Sequence, residues 1–220
     1  MWPFLDDEQR EAVDAFSRFC RQSVRPATKP YDRGLGVPED VLREQLKKLI
    51  PFGLGTGRIP AEHGGLGLDP VTTGLLFEAV SQHAPGVAGP AFITESVGLL
   101  LSRYGSETVR HKYLEPLVAG EAIAASANTE PSGGSDVRSV STRAARTAGG
   151  YAITGRKVWI TNGQYADFAT VLARSDETGQ LDLYVVDRRE HGFGSTPLET
   201  VGAVETAELV FDGVEIPEEN

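Results

Sequence analysis

Two short stretches hold the residues best suited to chemistry. Asn128-Thr129-Glu130-Pro131-Ser132-Gly133-Gly134-Ser135-Asp136 is a loop dense in backbone N–H groups and hydroxyls. Glu130-Pro131 bends the chain, and Gly133-Gly134 lets backbone approach a ligand with no Cβ in the way. Ser132 and Ser135 add hydroxyl donors, and successive N–H groups in such a turn form an anion nest. Alone, this composition favours an ordinary β-turn; the whole string with Asp136, joined to the second stretch, reverses that preference. Further on, Lys157-Val158-Trp159-Ile160-Thr161-Asn162-Gly163 reads as a strand ending in an Asn-Gly turn signal. Alternate side chains of a strand share a face. Trp159 and Thr161 are therefore expected together on one side, with Val158 and Ile160 packing the core. An indole can cover one face of a flat ring, and a hydroxyl beside it can donate to a ring nitrogen. A half-buried Trp on a small β-domain is the plainer reading of that strand taken by itself. Together the two stretches suit a planar cofactor with a phosphate tail.

Other reactive residues point nowhere so definite. Gly55-Thr56-Gly57-Arg58-Ile59-Pro60-Ala61-Glu62-His63-Gly64-Gly65-Leu66-Gly67 permits a tight path, but no strand precedes it and its spacing is wrong for dinucleotide binding. His63 reads as a structural or rim residue. His83, His111 and His191 are scattered without metal-ligand spacing. Glu107, Glu115 and Glu121 read as a solvated face rather than as general bases. Cys20 is the one cysteine, which leaves no internal disulfide, and it sits among apolar residues as a core position.

The elements that must position these residues divide the chain in two. Val13, Phe16, Phe19, Cys20 and Val24 recur at helical spacing, with Pro26 expected to end the run. Pro38 opens a second helix carrying Val41, Leu42, Leu46, Leu49 and Ile50 on one face. Asp69-Pro70 starts a third, carrying Leu75, Leu76, Ala79 and Val80. A buried helix follows from about Ala88 to Arg103, and Ser106 caps another. Beyond Gly120 the pattern favours short strands. Tyr151 to Thr154, a Gly155-Arg156 turn and Lys157 to Thr161 read as a hairpin. Phe168 to Ala173, Leu181 to Val186 and Leu209 to Ile216 are further strands. Arg138 to Gly150 reads as a mobile loop plus one strand. The fold class is thus α+β: an all-α domain over 1–120, then a small β-barrel-like domain over 121–220. This order contradicts a Rossmann-type alternation.

A chain of 220 residues has ample core for this. The formal charge of −10 argues against nucleic acid. Met1 to Glu8 carries no basic start, and no run approaches the ~20 apolar residues of a membrane span, so a soluble cytoplasmic protein is expected.

The Pro60 to Gly67 loop, the Thr129-Glu130-Pro131 to Ser135-Asp136 string, the Gly155 to Gly163 strand and the Phe211 to Asn220 segment resemble the acyl-CoA dehydrogenase family. The resemblance covers its N-terminal and middle domains and essentially the whole chain. It implies FAD as cofactor and α,β-dehydrogenation of an acyl thioester, on coenzyme A or an acyl carrier protein. It further implies that backbone around Ser126, Asn128 and Thr129 contacts the flavin pyrimidine edge. Ser135 would lie near the FAD pyrophosphate and the pantetheine end of the thioester. Trp159 would cover the ring, and Thr161 would donate toward N5. Phe92 and Ser96, on the helix from Phe92 to Leu100, would line the acyl cavity. Ser126 departs from the family, whose members often carry a larger, frequently aromatic side chain there.

The family draws its catalytic glutamate, and the oligomer contacts that hold the adenine half of FAD, from a C-terminal helical domain. Pro217-Glu218-Glu219-Asn220 falls where that domain would begin, so the resemblance places no catalytic residue in this sequence. Flavin contacts without a base do not complete the reaction at a useful rate. Three arrangements fit: a split enzyme whose partner chain supplies the helical half, a portion of a longer enzyme, or a relative that binds without catalysis. The first two are favoured, since the N-terminal helices would otherwise expose an apolar face. An electron-accepting flavoprotein is a further expected partner. Two other readings are kept, a non-catalytic scaffold subunit and a flavin-dependent monooxygenase relative.

Overall fold

The computed structural model describes residues 6–220, so the reading of Met1–Leu5 as free of a leader lies outside the described residues. Helices occupy the chain up to Val118 and strands follow from Ala124, an α+β arrangement.

The first helix, α1 (Asp7–Phe19), opens on a capping box. The Asp6 carboxylate accepts from the Gln9 N–H at 2.7 Å, and the Gln9 side chain accepts from the Asp6 N–H. The run does not end at Pro26. A π-helical turn, Cys20–Val24, carries it into α2 (Arg25–Thr28), with the Arg25 N–H donating to the Cys20 carbonyl. Widening the ladder by one residue before the proline lets the helix pass a ring that would otherwise clash with the preceding turn. The same device recurs at Arg110–Leu114, just before Pro116 in α7 (Glu115–Val118).

Pro38 precedes α3 (Glu39–Leu49), which buries Leu42, Leu46 and Leu49. Asp69 caps α4 (Pro70–His83) by accepting from the N–H groups of Val71 and Thr72. The long helix α5 (Pro85–Tyr104) buries Val87, Ala91, Val97 and Leu101. The Ser106 hydroxyl accepts from the Val109 N–H to start α6 (Glu107–Val109).

Seven strands form one curled sheet: β1 (Ala124–Ala127), β2 (Arg143–Arg146), β3 (Gly150–Thr161), β4 (Phe168–Ser175), β5 (Leu181–Asp187), β6 (Gly194–Pro197) and β7 (Thr206–Pro217). Their order is β1-β4-β2-β3-β7-β6, with β5 also paired to β4. The expected hairpin over 151–161 is instead a single strand, β3, paired with β7 from Gly150 to Thr161. Gly155 is present for close approach rather than for a turn: a Cβ there would stand 2.4 Å from the Thr142 hydroxyl and 2.8 Å from its Cα. Strands β1 and β6, rich in Ala or in Gly, Ser and Pro, lack the β-branched signal that exposes a strand to sequence reading.

The two halves share a core. Ile59, Val97, Leu101 and Leu117 pack with Ala124, Phe168 and Val185 of the sheet. Arg43 on α3 adds a polar clasp, donating to Asp167 at 2.9 Å and to the Tyr165 carbonyl at 2.9 Å, while Asp167 also accepts from the Ile123 N–H. These contacts fix α5 and β1 relative to β3, where both sequence stretches meet.

Candidate functional site

The loop from Asn128 to Thr142 is an excursion between two short strands on one edge of β4. Parallel to β4, β1 pairs Ala124–Ala127 with Phe168–Val171, and β2 resumes on the same edge with Arg143 opposite Arg174. The loop's ends are therefore set by the sheet. Within it, Glu130 and Gly133 exchange backbone hydrogen bonds at 3.0 Å, closing a turn through Pro131 and Ser132. Ser132 to Asp136 project into solvent, and the Asp136 carboxylate accepts from the Arg138 N–H to begin a short 3₁₀ turn.

Glu130 does not face outward. It is 3% exposed and accepts from the Ser141 N–H and hydroxyl, the Thr142 N–H and hydroxyl, and the Lys157 ammonium at 2.9 Å. Burial alone would raise its pKa. The Ser141 and Thr142 donors outweigh that and hold the carboxyl down to about 2.

On β3 the register against β7 slips between Lys157 and Ile160: Lys157 faces Leu209, yet Ile160 faces Ala207. The extra residue makes a β-bulge, and Trp159 sits in it at φ +61°. A bulky residue in the left-handed region costs roughly 1–3 kcal/mol and persists where its surroundings fix it. The bulge also breaks the expected alternation. Lys157 is fully buried, Val158 only half-buried, Ile160 buried and Thr161 half-buried, while Trp159 is 58% exposed. Lys157 therefore belongs to the core and not to the face that presents the indole. Burial lowers the pKa of its ammonium, opposed by the Glu130 hydrogen bond and charge.

Two consecutive bonds tie this strand to the loop. The Lys157 ammonium donates to the Asn128 carbonyl at 3.1 Å, and the Val158 N–H donates to the Thr129 carbonyl at 2.9 Å. The Asn128 amide in turn donates to the Ser126 hydroxyl at 3.1 Å. A Cβ on Gly134 would come within 3.2 Å of the Thr129 methyl, so the glycine allows the loop to fold back over Thr129.

At its far end the bulged segment is anchored by Asn162, also left-handed at φ +66° and fully buried. Its amide donates to the Ala124 carbonyl at 2.9 Å and the Pro90 carbonyl at 3.3 Å, joining β3 to β1 and α5. Its carbonyl oxygen has no protein partner, nor does the Gln164 amide nitrogen nearby.

Ser126, Asn128, Thr129, Trp159 and Thr161 thus border one junction of β1, the loop and β3. Ser135 lies out on the loop tip, exposed. Phe92 is 57% exposed on α5, edge-on to Phe77 at 5.7 Å, and on the next turn the Ser96 hydroxyl donates to the Phe92 carbonyl, so it is engaged with its own helix. His63 lines a pocket of about 550 Å³ with Arg58, Ser102 and Arg103, a pocket that holds no residue of either signature. Among the described residues no cluster of metal ligands is present, and no helix is long and apolar enough to cross a membrane.

Sequence reasoning missed the buried polar frame: Glu130, Lys157, Asn162, Glu95 and Glu205. Glu95, inside the apolar run of α5, is pushed up by burial against the charge of Arg58 and backbone N–H groups of Arg58 and Gly57. Glu205 is raised to about 7 by burial, opposed by the Gln164 N–H and the charge of Arg188. The available signal was weak: a charged residue with one apolar neighbour in or beside a strand, as in Lys157-Val158 and Val204-Glu205.

Comparison with known proteins converges on one family. Residues 6–121 match the acyl-CoA dehydrogenase N-terminal domain, and residues 125–214 match the acyl-CoA dehydrogenase middle domain. Benzylmalonyl-CoA dehydrogenase of Aromatoleum aromaticum is 33% identical over 218 residues, covering 97% of this chain and 57% of that protein. Among solved structures, the acyl-CoA dehydrogenase of Geobacillus kaustophilus superposes with a TM-score of 0.88 at 29% identity, over 100% of this chain and 59% of that one. Glutaryl-CoA dehydrogenase of Mycobacterium smegmatis in complex with FADH2 gives 0.85 at 27%, over 98% and 55%. The chain spans just over half the length of these relatives. With the two domain models together matching residues 6–121 and 125–214, it belongs to the acyl-CoA dehydrogenase family.

Proposed function

We propose that the chain binds FAD and an acyl thioester, on coenzyme A or an acyl carrier protein, for α,β-dehydrogenation. The observation that carries this reading is Trp159: a large indole, mostly solvent-exposed, held in a left-handed bulge beside a loop built for backbone donation. Such strain at an exposed aromatic has no stability rationale of its own, and it suits a planar group laid against the ring.

The residues present fit FAD. Gly133, Gly134 and Ser135 offer an exposed turn for a diphosphate. Thr161 brings a half-buried hydroxyl two positions from the indole. Asn128 and Thr129 supply backbone fixed from beneath by Lys157 and Val158. FAD, when bound, supplies the two-electron acceptor for the β-carbon's hydride. This chain's part is then to bind, to orient and to exclude water, with Phe92 and Ser96 bordering the acyl tail and Ser135 the pantetheine arm.

Proton abstraction is assigned elsewhere. Glu130 is spent on its five donors and held near 2, too acidic and too enclosed to take an α-proton. The reading therefore includes a glutamate from a helical half, carried by a partner chain or by a continuation of this one. The assembly would work in the cytoplasm and pass its electrons to an acceptor flavoprotein. Titration with FAD, alone and with a candidate helical partner, tests the proposal. Appearance of a protein-bound flavin spectrum with quenched fluorescence is the expected result, and its absence in both mixtures rejects it.

A further inference from the structure

We infer that Lys157 is a positioning residue for the flavin site: its buried ammonium locks the Asn128 carbonyl and the Glu130 carboxylate beneath the bulge that turns Trp159 outward. The inference rests on the flavin reading above and adds the element that sets the spacing between the site's two halves.

Three features separate this lysine from an incidental ion pair. First, it is fully buried, and an ammonium is costly to withdraw from water without a counter-ion and acceptors for its protons. Second, its two acceptors lie on the loop and not on its own strand, at 3.1 Å and 2.9 Å. Glu130 is itself bolted to Ser141 and Thr142 at the loop's return, so one ammonium joins the strand to both ends of the excursion. Third, Lys157 stands immediately before the register slip, while Asn162 pins the segment after it. Between these two anchors the backbone cannot relax, so Trp159 stays left-handed. Were stability the only requirement, a packed apolar pair would serve as well or better. What the ion pair adds is direction: the Asn128 carbonyl is drawn inward, which leaves the peptide groups around Ser126 to Thr129 in one orientation opposite the indole.

The double variant Lys157→Met with Glu130→Gln tests this. It replaces the ion pair by an uncharged pair of similar shape; the one glutamine oxygen can accept from Ser141 or from Thr142 but not from both, so some stability is lost and binding is compared on protein that still unfolds cooperatively. Lys157→Arg is the rescue arm, since it restores a buried donor to the Asn128 carbonyl. Thermal unfolding, FAD dissociation constant and flavin fluorescence quenching are read for each against the parent. The double variant is expected to melt below the parent with a cooperative transition and, folded, to bind FAD about tenfold or more weaker, with less quenching by the indole. Lys157→Arg, where folded, recovers part of both. A folded double variant with the parent's affinity and quenching overturns the inference and leaves a merely structural pair. A parent that binds no FAD rejects the flavin reading itself, an outcome distinct from equal binding by parent and variant.

Discussion

Glu130 and Glu205 are almost equally withdrawn from solvent, at 3% and 2% exposure, and both lie in the β-half near the bulged segment of β3. Yet one carboxyl is held down to about 2 and the other pushed up to about 7. Desolvation is the largest influence on each and acts upward on both. The difference lies in donors. Glu130 has two hydroxyls, two backbone N–H groups and an ammonium. Glu205 accepts from the Gln164 N–H at 3.1 Å, draws on the Asn162 N–H and the charge of Arg188, and leaves one oxygen unpartnered. Burial therefore does not decide whether a carboxylate stays charged here; the number of protons aimed at it does. The charged member forms the root of the loop, while the protonatable one backs the turn that follows Thr161.

The sharpest way to break the contrast is to remove the ammonium alone. Lys157→Met leaves Glu130 buried with a charge and no counter-ion, a situation that costs about 3–5 kcal/mol. Denaturant unfolding is expected to show a loss of that size. A loss under about 1 kcal/mol would mean that Ser141 and Thr142 suffice for Glu130.

The pH dependence sharpens it from the other side. Glu205 has a folded pKa raised from 4.5 to about 7, so between those values the folded state holds a proton that the unfolded chain has released. Stability contributed by this group is complete below 4.5, falls as pH rises and levels off above about 7. The full change is on the order of 3 kcal/mol. Glu130 runs oppositely: its contribution is present above 4.5 and is lost as pH falls toward 2. Comparing unfolding free energies of parent and Glu205→Gln across pH 4.5 to 7 isolates the first effect. The variant is expected to lack the decline, and an unchanged slope would assign it to other groups such as Glu95.

How much of this was readable beforehand follows the same physics. The helix caps at Asp69 and Ser106, the α-then-β order and the strands β4, β5 and β7 stand in the sequence because they depend on local residue type and spacing. Trp159 and Thr161 were singled out by composition and by family resemblance. What stayed hidden depends on contacts distant along the chain. Gly155 resembles a turn until Thr142 is seen against it. Lys157 resembles a neighbour of Trp159 on one face until the register slip moves it to the other. Pro26 resembles a helix stop until the π-turn ahead of it is known. A bulge, a close approach and a widened turn leave no period in the sequence, and two of these three set the geometry of the site.

Trp159 offers a prediction in which stability and binding part company. Trp159→Asn puts in a residue that tolerates the left-handed region, so relief of strain offsets the loss of a half-covered indole. Its unfolding free energy is expected within about 1 kcal/mol of the parent, while FAD fluorescence in the mixture is no longer quenched. Quenching that survives the change would remove the indole from the site.

Ser135 gives the smallest effect and tests the exposed end of the same loop whose buried end is Glu130. Its side chain is in solvent, so Ser135→Ala is expected to change stability by no more than about 0.5 kcal/mol. Loss of one hydroxyl donor to a diphosphate removes about 0.5–1.5 kcal/mol of binding, a rise in the FAD dissociation constant of roughly two- to tenfold. That separation follows from the loop's construction: the Glu130 end is buried in the fold, and the Ser135 end is exposed. A Ser135→Ala protein with the parent's affinity would shift diphosphate recognition to the backbone of Gly133 and Gly134, and the matching Gly134→Ala variant, whose Cβ would press on Thr129 at 3.2 Å, would then carry the larger loss.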